Sequence, residues 1–354
     1  MIIGIFSKFD MAGGSEFRCT ELANGIAKYT EHTALLLVEK RFPSRLDQYV
    51  HEKVEIVENC FTSPEGFYKS DRILIVNSDS KEFSRTDYWR GKTHRHSFSI
   101  EMEKLKNKKM YFLYNFIVSP SRHLYEFEKY GADVSIITTN KKFFNEITKQ
   151  DRYEQIRIFP RYTLESPIDP DLLEIRLREP KGPVCFGMHS KRLNNKWNDE
   201  FVNLIKLVNE KYTPEQIQFR FMGVKGNLIE KLNFFENVTC LQEDEESVKD
   251  FLNQIDVFLF FPDWKREEPW ARVIAEAMVA GCPVIALNRG GTEDQVLRYN
   301  NGFLCKRLKD YQQNIIYLME HRDIIPIMSR NSIRIAKDFY SLNVNKKLMN
   351  ILEK

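Results

Sequence analysis

The sequence predicts an α/β fold of two Rossmann-like, doubly wound domains facing a cleft. Three observations carry that expectation. Short apolar runs of strand length alternate with helical patterns along the chain, as in parallel sheets covered by helices. The rhythm breaks at "RYTLESPIDPDLLEIRLREPKGP" (161–183), where four prolines and dense charge mark a linker. A chain of 354 residues, 42% apolar, also exceeds what one hydrophobic core usually organises.

The first half opens with the strand "IIGIFS" (2–7), then "GSEFRCTELANGIAKYT" (14–30), a helix with Phe17, Leu22, Ile26 and Tyr29 along an apolar stripe. The strands "TALLLV" (33–38), "RILIVN" (72–77), "KMYFLYNFIVS" (109–119) and "ADVSIITT" (132–139) complete it. After the linker come "VCFGMH" (184–189), "FRFMGV" (219–224), "NVTCL" (237–241), "DVFLFFP" (256–262) and "PVIAL" (283–287). Helical segments such as "NDEFVNLIKLVNEKY" separate them. The expected domains are 1–175 and 176–336.

Charge and composition narrow the function classes. Lys+Arg and Asp+Glu nearly cancel to +3, so no overall field points to nucleic acid; "RGKTHRH" (90–96) and "KLKNKK" (104–109) read as solvated surface. Six cysteines lie scattered without CxxC spacing, which suits reduced core thiols. No apolar stretch has membrane-spanning length, and Met1 leads directly into a strand, so the expectation is a soluble, cytoplasmic protein.

The most informative stretch is "EEPWARVIAEAMVAGCPVIALNRGGTEDQV" (267–296). It reads as a loop after a buried strand, a helix stopped by Gly281, and the strand "PVIAL". Pro269 fits an early helical position. That puts Glu268 at the helix mouth and Glu276 two turns further in, roughly 12 Å along the axis. The pair is too far apart to act on one atom, but can touch opposite ends of an elongated ligand. Alternatively, Glu268 complements the helix dipole and Glu276 is a solvated helix residue. Against the latter, Glu276 is embedded among Val273, Ile274, Ala275, Ala277, Met278 and Val279, where a bare carboxylate is costly.

This order, with "NNGFL" beyond it, resembles the donor-binding signature of retaining GT-B glycosyltransferases, especially glycosyltransferase family 4. Glu268 and Glu276 match that family's glutamate–seven residues–glutamate motif, and "MAGGSEFRCTELANGIAKYTEHTALLL" (11–37) is similar to its first glycine-rich loop, helix and second strand. The resemblance implies a two-domain enzyme moving a hexose from a nucleotide-diphospho-sugar to a glycan or other hydroxyl acceptor. The first domain would serve the acceptor side, completed by a crossover helix at about 337–354, and the second would bind the donor. Glu268 would contact sugar hydroxyls near the reacting carbon and Glu276 the nucleotide ribose. Backbone N–H groups of Trp270, Ala271 and Arg272 would meet sugar or phosphate, with Gly13 and Gly14 approaching from the first domain. Trp270 reads equally as a packing aromatic. Gly290 and Gly291 pass close to the acceptor side or a helix end, or make a turn.

A departing diphosphate needs preorganised cations. Family members carry Arg after the glycine of the first C-terminal strand, whereas "FGMHSKRLNNKWND" (186–199) has Met188 there. Lys191, Arg192 and Lys196 follow, and Arg192 with Lys196 are the expected clamp. No metal or cofactor is expected: Asp169–Asp171, "DPD", reads as a turn. The family's histidine after an N-domain strand is missing; Tyr114 and Asn115 stand in its place. His94 and His96 are unranked substitutes, and Asn77, Ser78 and Asp79 fall at a strand end. GDP-mannose is the favoured donor, with UDP-sugars close behind. Peripheral membrane contact and a homodimer fit the resemblance. The alternatives are a UDP-sugar 2-epimerase-like or phosphorylase-like enzyme on the same fold, and a nucleotide-sugar-binding protein without catalysis.

Overall fold

The computed structural model describes residues 1–7, 9, 14–76, 102–114, 128, 131–149 and 156–354. The chain divides into two compact units, Met1–Pro167 together with Ser341–Lys354, and Ile168–Tyr340. Each is built on a parallel sheet.

In the N-terminal unit the strands are β1 (Ile2–Ser7), β2 (Thr33–Val38), β3 (Glu55–Val57), β4 (Arg72–Val76), β5 (Lys109–Tyr114), β6 (Asp133–Thr138) and β7 (Arg157–Thr163). Their order is β3-β2-β1-β4-β5-β6-β7. Alternation along each strand sends its apolar residues to two covered faces, which is why the strands read as continuous apolar runs. Ile3, Ile5, Leu36, Val38, Leu74 and Val76 join one core with Leu22 and Ile26 of the helix Gly14–Tyr29. Phe6, Leu35, Leu37, Ile73 and Ile75 join the other. Phe17 and Tyr29 are only half-buried, so the helix stripe is narrower than its spacing predicts.

The chain's last helix, Ser341–Leu352, belongs to this unit. It buries Val344, Leu348, Ile351 and Leu352 in the core beneath the first helix. Arg72 Nε donates to the Leu352 carbonyl at 2.9 Å, and Lys347 pairs with Glu165 at 2.9 Å. Residues Lys337–Phe339 form a short 3₁₀ turn before it. The unit boundaries fall after Pro167 and after Tyr340. The proline-rich stretch is not all linker, because its first residues finish β7, paired with β6.

In the other unit β8 (Val184–His189), β9 (Ile217–Met222), β10 (Val238–Leu241), β11 (Val257–Phe260), β12 (Val284–Leu287) and β13 (Gly302–Cys305) run in the order β10-β9-β8-β11-β12-β13. One continuous core fills it. The helix Arg272–Val279 stops as its Gly281 suggests. Gly281 takes φ +91°, its N–H bonds the Met278 carbonyl at 3.0 Å, and Cys282 N–H bonds Ala277 at 2.8 Å. Those two bonds form a Schellman cap. The sequence does not announce β3, β7 and β13, which are a three-residue edge strand, a charged stretch and a strand opened by glycine. Among the described residues no helix is long and apolar enough to cross a membrane. All six cysteines are free, and burial pushes every thiol above its ordinary value.

Candidate active site

Strand order locates the site. In the second unit the sheet grows outward in both directions from the neighbours β8 and β11, so the loops after these two strands leave in opposite directions and open a crevice between them. Ligands of open α/β sheets bind at such switch points. The loop after β8 carries Lys191, Arg192 and Lys196; the loop after β11 carries Glu268.

These loops meet at Glu268. Its side chain is only 9% exposed, and its Oε1 accepts from Lys196 Nζ and from Arg266 Nε at 2.8 Å. Burial pulls the Lys196 ammonium below its ordinary value, while Glu268 pulls it back up. Two cationic side chains surround one carboxylate, a balance that suits an anionic ligand. The backbone is fixed from β12's side: Glu268 forms a β-bridge with Gly290, and Gly291 N–H donates to the Glu268 carbonyl at 2.8 Å.

Glu268 does not lie at the helix mouth as the sequence suggests. The helix begins at Arg272, leaving Pro269 outside it and only Glu276 within it. The roughly 12 Å axial spacing expected for the two glutamates therefore does not apply. The reason is Gln295, fully buried, whose side-chain oxygen accepts from Ala271 N–H at 3.0 Å and whose amide donates to the Ala271 carbonyl at 2.9 Å. This clasp holds Ala271 in an extended conformation and sets the helix start there. It also engages the Ala271 N–H within the protein, removing it from the expected backbone contacts to sugar or phosphate. Trp270 packs edge-on against Phe339 at 4.8 Å, with its Nε1 buried and without a hydrogen-bond partner among the described residues.

Inside the helix Glu276 is neither solvated nor unpaired. Arg272, one turn earlier, donates from Nε to its Oε1 at 2.7 Å, and His189 Nε2 stands 3.6 Å from Oε2. Burial raises the Glu276 carboxyl, and Arg272 offsets part of that rise. Burial, reinforced by Arg272, pulls His189 down to about 3, so the imidazole is neutral and the contact is not an ion pair.

The basic loop is anchored through apolar and polar contacts. Trp197 is fully buried and donates from Nε1 to the Lys191 carbonyl at 3.2 Å; Asn198 donates to the Pro262 carbonyl at 3.1 Å. Trp264 Nε1 reaches Glu200 at 3.0 Å, tying the two loops again. Lys196 is thereby delivered to Glu268. Arg192 is exposed, with its backbone N–H on Glu243 at 2.9 Å and its guanidinium beside Gly226. Met188 cannot substitute for a cation, since alternation along β8 turns it with Phe186 into the core. His189, the next residue, turns toward Glu276 instead.

The first unit has its own switch point, between β1 and β4. Gly14 opens the helix after β1, with open space where a side chain would stand. Gly13, Asn77, Ser78, Asp79, His94, His96 and Asn115 lie outside the described residues, as does the side chain of Tyr114. Asp169 caps a 3₁₀ turn through Asp171 N–H at 3.0 Å, the turn expected of "DPD". Arg266, Gln295 and His189 are not singled out by the sequence. Only His189 leaves a signal, as a polar residue closing a buried strand.

Comparison with known proteins follows this geometry. Residues 176–337 match the family described as glycosyl transferases group 1. Spore coat protein SA of Bacillus subtilis (strain 168) is 33% identical over 103 residues, 28% of this chain, and the match spans only 27% of that protein's length. Over the whole of both chains, the fold superposes on HepE of Anabaena in complex with UDP, with TM-score 0.73 at 17% identity. A glycosyltransferase from Rickettsia africae ESF-5 gives TM-score 0.71 at 15% identity, covering 99% of this chain and 97% of that one. The chain thus has the GT-B architecture of two Rossmann-like units, with a group 1 glycosyl transferase match over the unit that carries Glu268 and Glu276, and these findings support a glycosyltransferase.

Proposed function

We propose that this protein is a retaining glycosyltransferase of family 4 that moves a hexose from a nucleotide-diphospho-sugar to a glycan or other hydroxyl acceptor. The carrying observation is Glu268, held between Lys196 and Arg266 at the switch point of β8 and β11. In this reading Glu268 accepts from donor-sugar hydroxyls, while Lys196 and Arg266 hold its side chain in place. As the glycosidic bond breaks, negative charge grows on the diphosphate, and the positive cluster stabilises it, with the exposed Arg192 contributing from the same loop. Glu276, paired through Oε1 to Arg272, accepts from the ribose through Oε2. The first unit supplies the acceptor side. No metal is invoked.

For the donor, the resemblance favours GDP-mannose, whereas the fold neighbour HepE has been crystallised with UDP-glucose, which supports a UDP-sugar. Calorimetric titration with GDP-, UDP- and ADP-sugars separates these, and product analysis tests the chemistry. Transfer to an alcohol acceptor, or slow release of free sugar with retained anomeric configuration, is expected. Epimerised sugar released without acceptor would instead indicate an epimerase, and an intact donor a binding protein.

A further inference from the structure

His189 closes β8 beside the switch point and has no role in the reading above. Its side chain is 7% exposed. Phe251 and Phe258 meet the ring at steep angles, each with 5.6 Å between centroids, and hold its plane. Nε2 faces Oε2 of Glu276 at 3.6 Å and has no hydrogen-bond partner among the described residues. The other carboxylate oxygen, Oε1, is taken by Arg272. The two oxygens of one glutamate therefore face two different elements, the strand β8 and the helix's own first turn.

A neutral imidazole carries one N–H, and its surroundings decide which nitrogen holds it. With Nε2 turned on a carboxylate oxygen, a proton there is attracted, whereas a lone pair there faces another lone pair. We infer that His189 is a positioning residue for nucleotide recognition: its Nε2–H steers Oε2 of Glu276 to accept a ribose hydroxyl while Arg272 holds Oε1. This rests on the assignment of Glu276 to the ribose. At 3.6 Å the N–H orients Oε2 without saturating it, because an N–H···O bond closes at about 3.2 Å or less. Oε2 keeps lone pairs for a ligand. The contribution of His189 therefore belongs to the hydroxyls of a nucleoside diphosphate rather than to its phosphates.

Two measurements test this. In the ligand-free wild type, nitrogen NMR of the histidines near neutral pH should show His189 neutral with the proton on Nε2; an Nδ1–H tautomer or an imidazolium overturns the inference whatever the protein binds. Separately, UDP, GDP, their 2′-deoxy counterparts and pyrophosphate are titrated into wild type, His189→Phe and His189→Gln, whose amide nitrogen can occupy the place of Nε2. His189→Phe should weaken the bound ribonucleotide about tenfold, the scale of one hydrogen bond to a charged group, and leave pyrophosphate unchanged. His189→Gln should restore most of the loss. Equal ribonucleotide affinity in all three proteins, or equal losses for nucleotide and pyrophosphate in His189→Phe, overturns the positioning role. If wild type binds pyrophosphate but does not distinguish ribo- from deoxyribonucleotide, the ribose assignment itself falls, and the tautomer then reports on the His189–Glu276 contact alone.

Discussion

Gly290 lies so close to Glu268 that a Cβ placed on it would stand 2.3 Å from the Glu268 carbonyl oxygen. Its φ of +73° is a region that side chains other than glycine enter at a cost. The glycine pair after β12 thus presses on the backbone that presents the central carboxylate. Gly290→Ala should destabilise the unit by about 1–3 kcal/mol and lower donor turnover, because strain and the contact both act on Glu268. Urea denaturation with a donor-hydrolysis assay measures both. Wild-type stability and turnover together would show that this contact does not position Glu268.

Glu276→Ala should weaken nucleoside diphosphate binding by about 10- to 100-fold, since it removes bonds made equally in ground and transition states. Glu268→Ala should mainly lower turnover. Titration of free nucleoside diphosphate into both variants distinguishes them. Unchanged affinity in Glu276→Ala removes the ribose assignment.

Lys196→Ala leaves Glu268 with Arg266 and takes one cation from the cluster. Turnover should fall about 10²-fold with a smaller effect on substrate affinity, as the charge it meets develops only during bond cleavage. Arg192→Ala should fall less, because its guanidinium is exposed. Transfer should survive EDTA. Loss on chelation with rescue by Mg²⁺ or Mn²⁺, or normal turnover in both variants, defeats the cationic-clamp assignment.

The buried His189 should make the native state acid-sensitive. Its pKa is about 3 in the folded chain against 6.5 for the free side chain, from burial first and Arg272 second. Above 6.5 neither state binds the proton, and this stability is fully present. As pH falls toward 3 the unfolded chain takes up a proton the native state refuses, and stability is lost, on the order of a few kcal/mol. Urea unfolding of wild type and His189→Phe across this window should give a shallower acid loss in the variant. Parallel curves would mean that His189 is protonated in the native state.

Deleting residues 341–354 removes Val344, Leu348, Ile351 and Leu352 from the first unit's core, along with the Lys347–Glu165 pair. The first unit should become protease-sensitive while Ile168–Tyr340 stays protected. Equal protection of both units in full-length and shortened chains would contradict the packing.

Local patterns were legible wherever neighbouring residues alone decide the outcome. The runs that form β1, β2 and β8 have the same limits in sequence and structure, and the helix after β1 ends within a residue of its expected limit. Gly281 marked its cap because only a residue free of Cβ enters that conformation cheaply. Covered parallel strands must be apolar throughout, so two doubly wound sheets could be read without coordinates. What only the tertiary structure decided is who meets whom at the site. Lys196 reaches Glu268 across 72 positions, and Gln295 clasps Ala271 across 24, because the β8-β11-β12 order brings their loops together. Pro269 falls outside the helix because Gln295 clasps Ala271, whereas Met188 enters the core and His189 faces Glu276 through alternation along β8 itself. Burial is a property of the packed neighbourhood: Arg272 reaches Glu276 from its own helix, but the raised pKa of Glu276 and its His189 neighbour arise only when other elements pack around it.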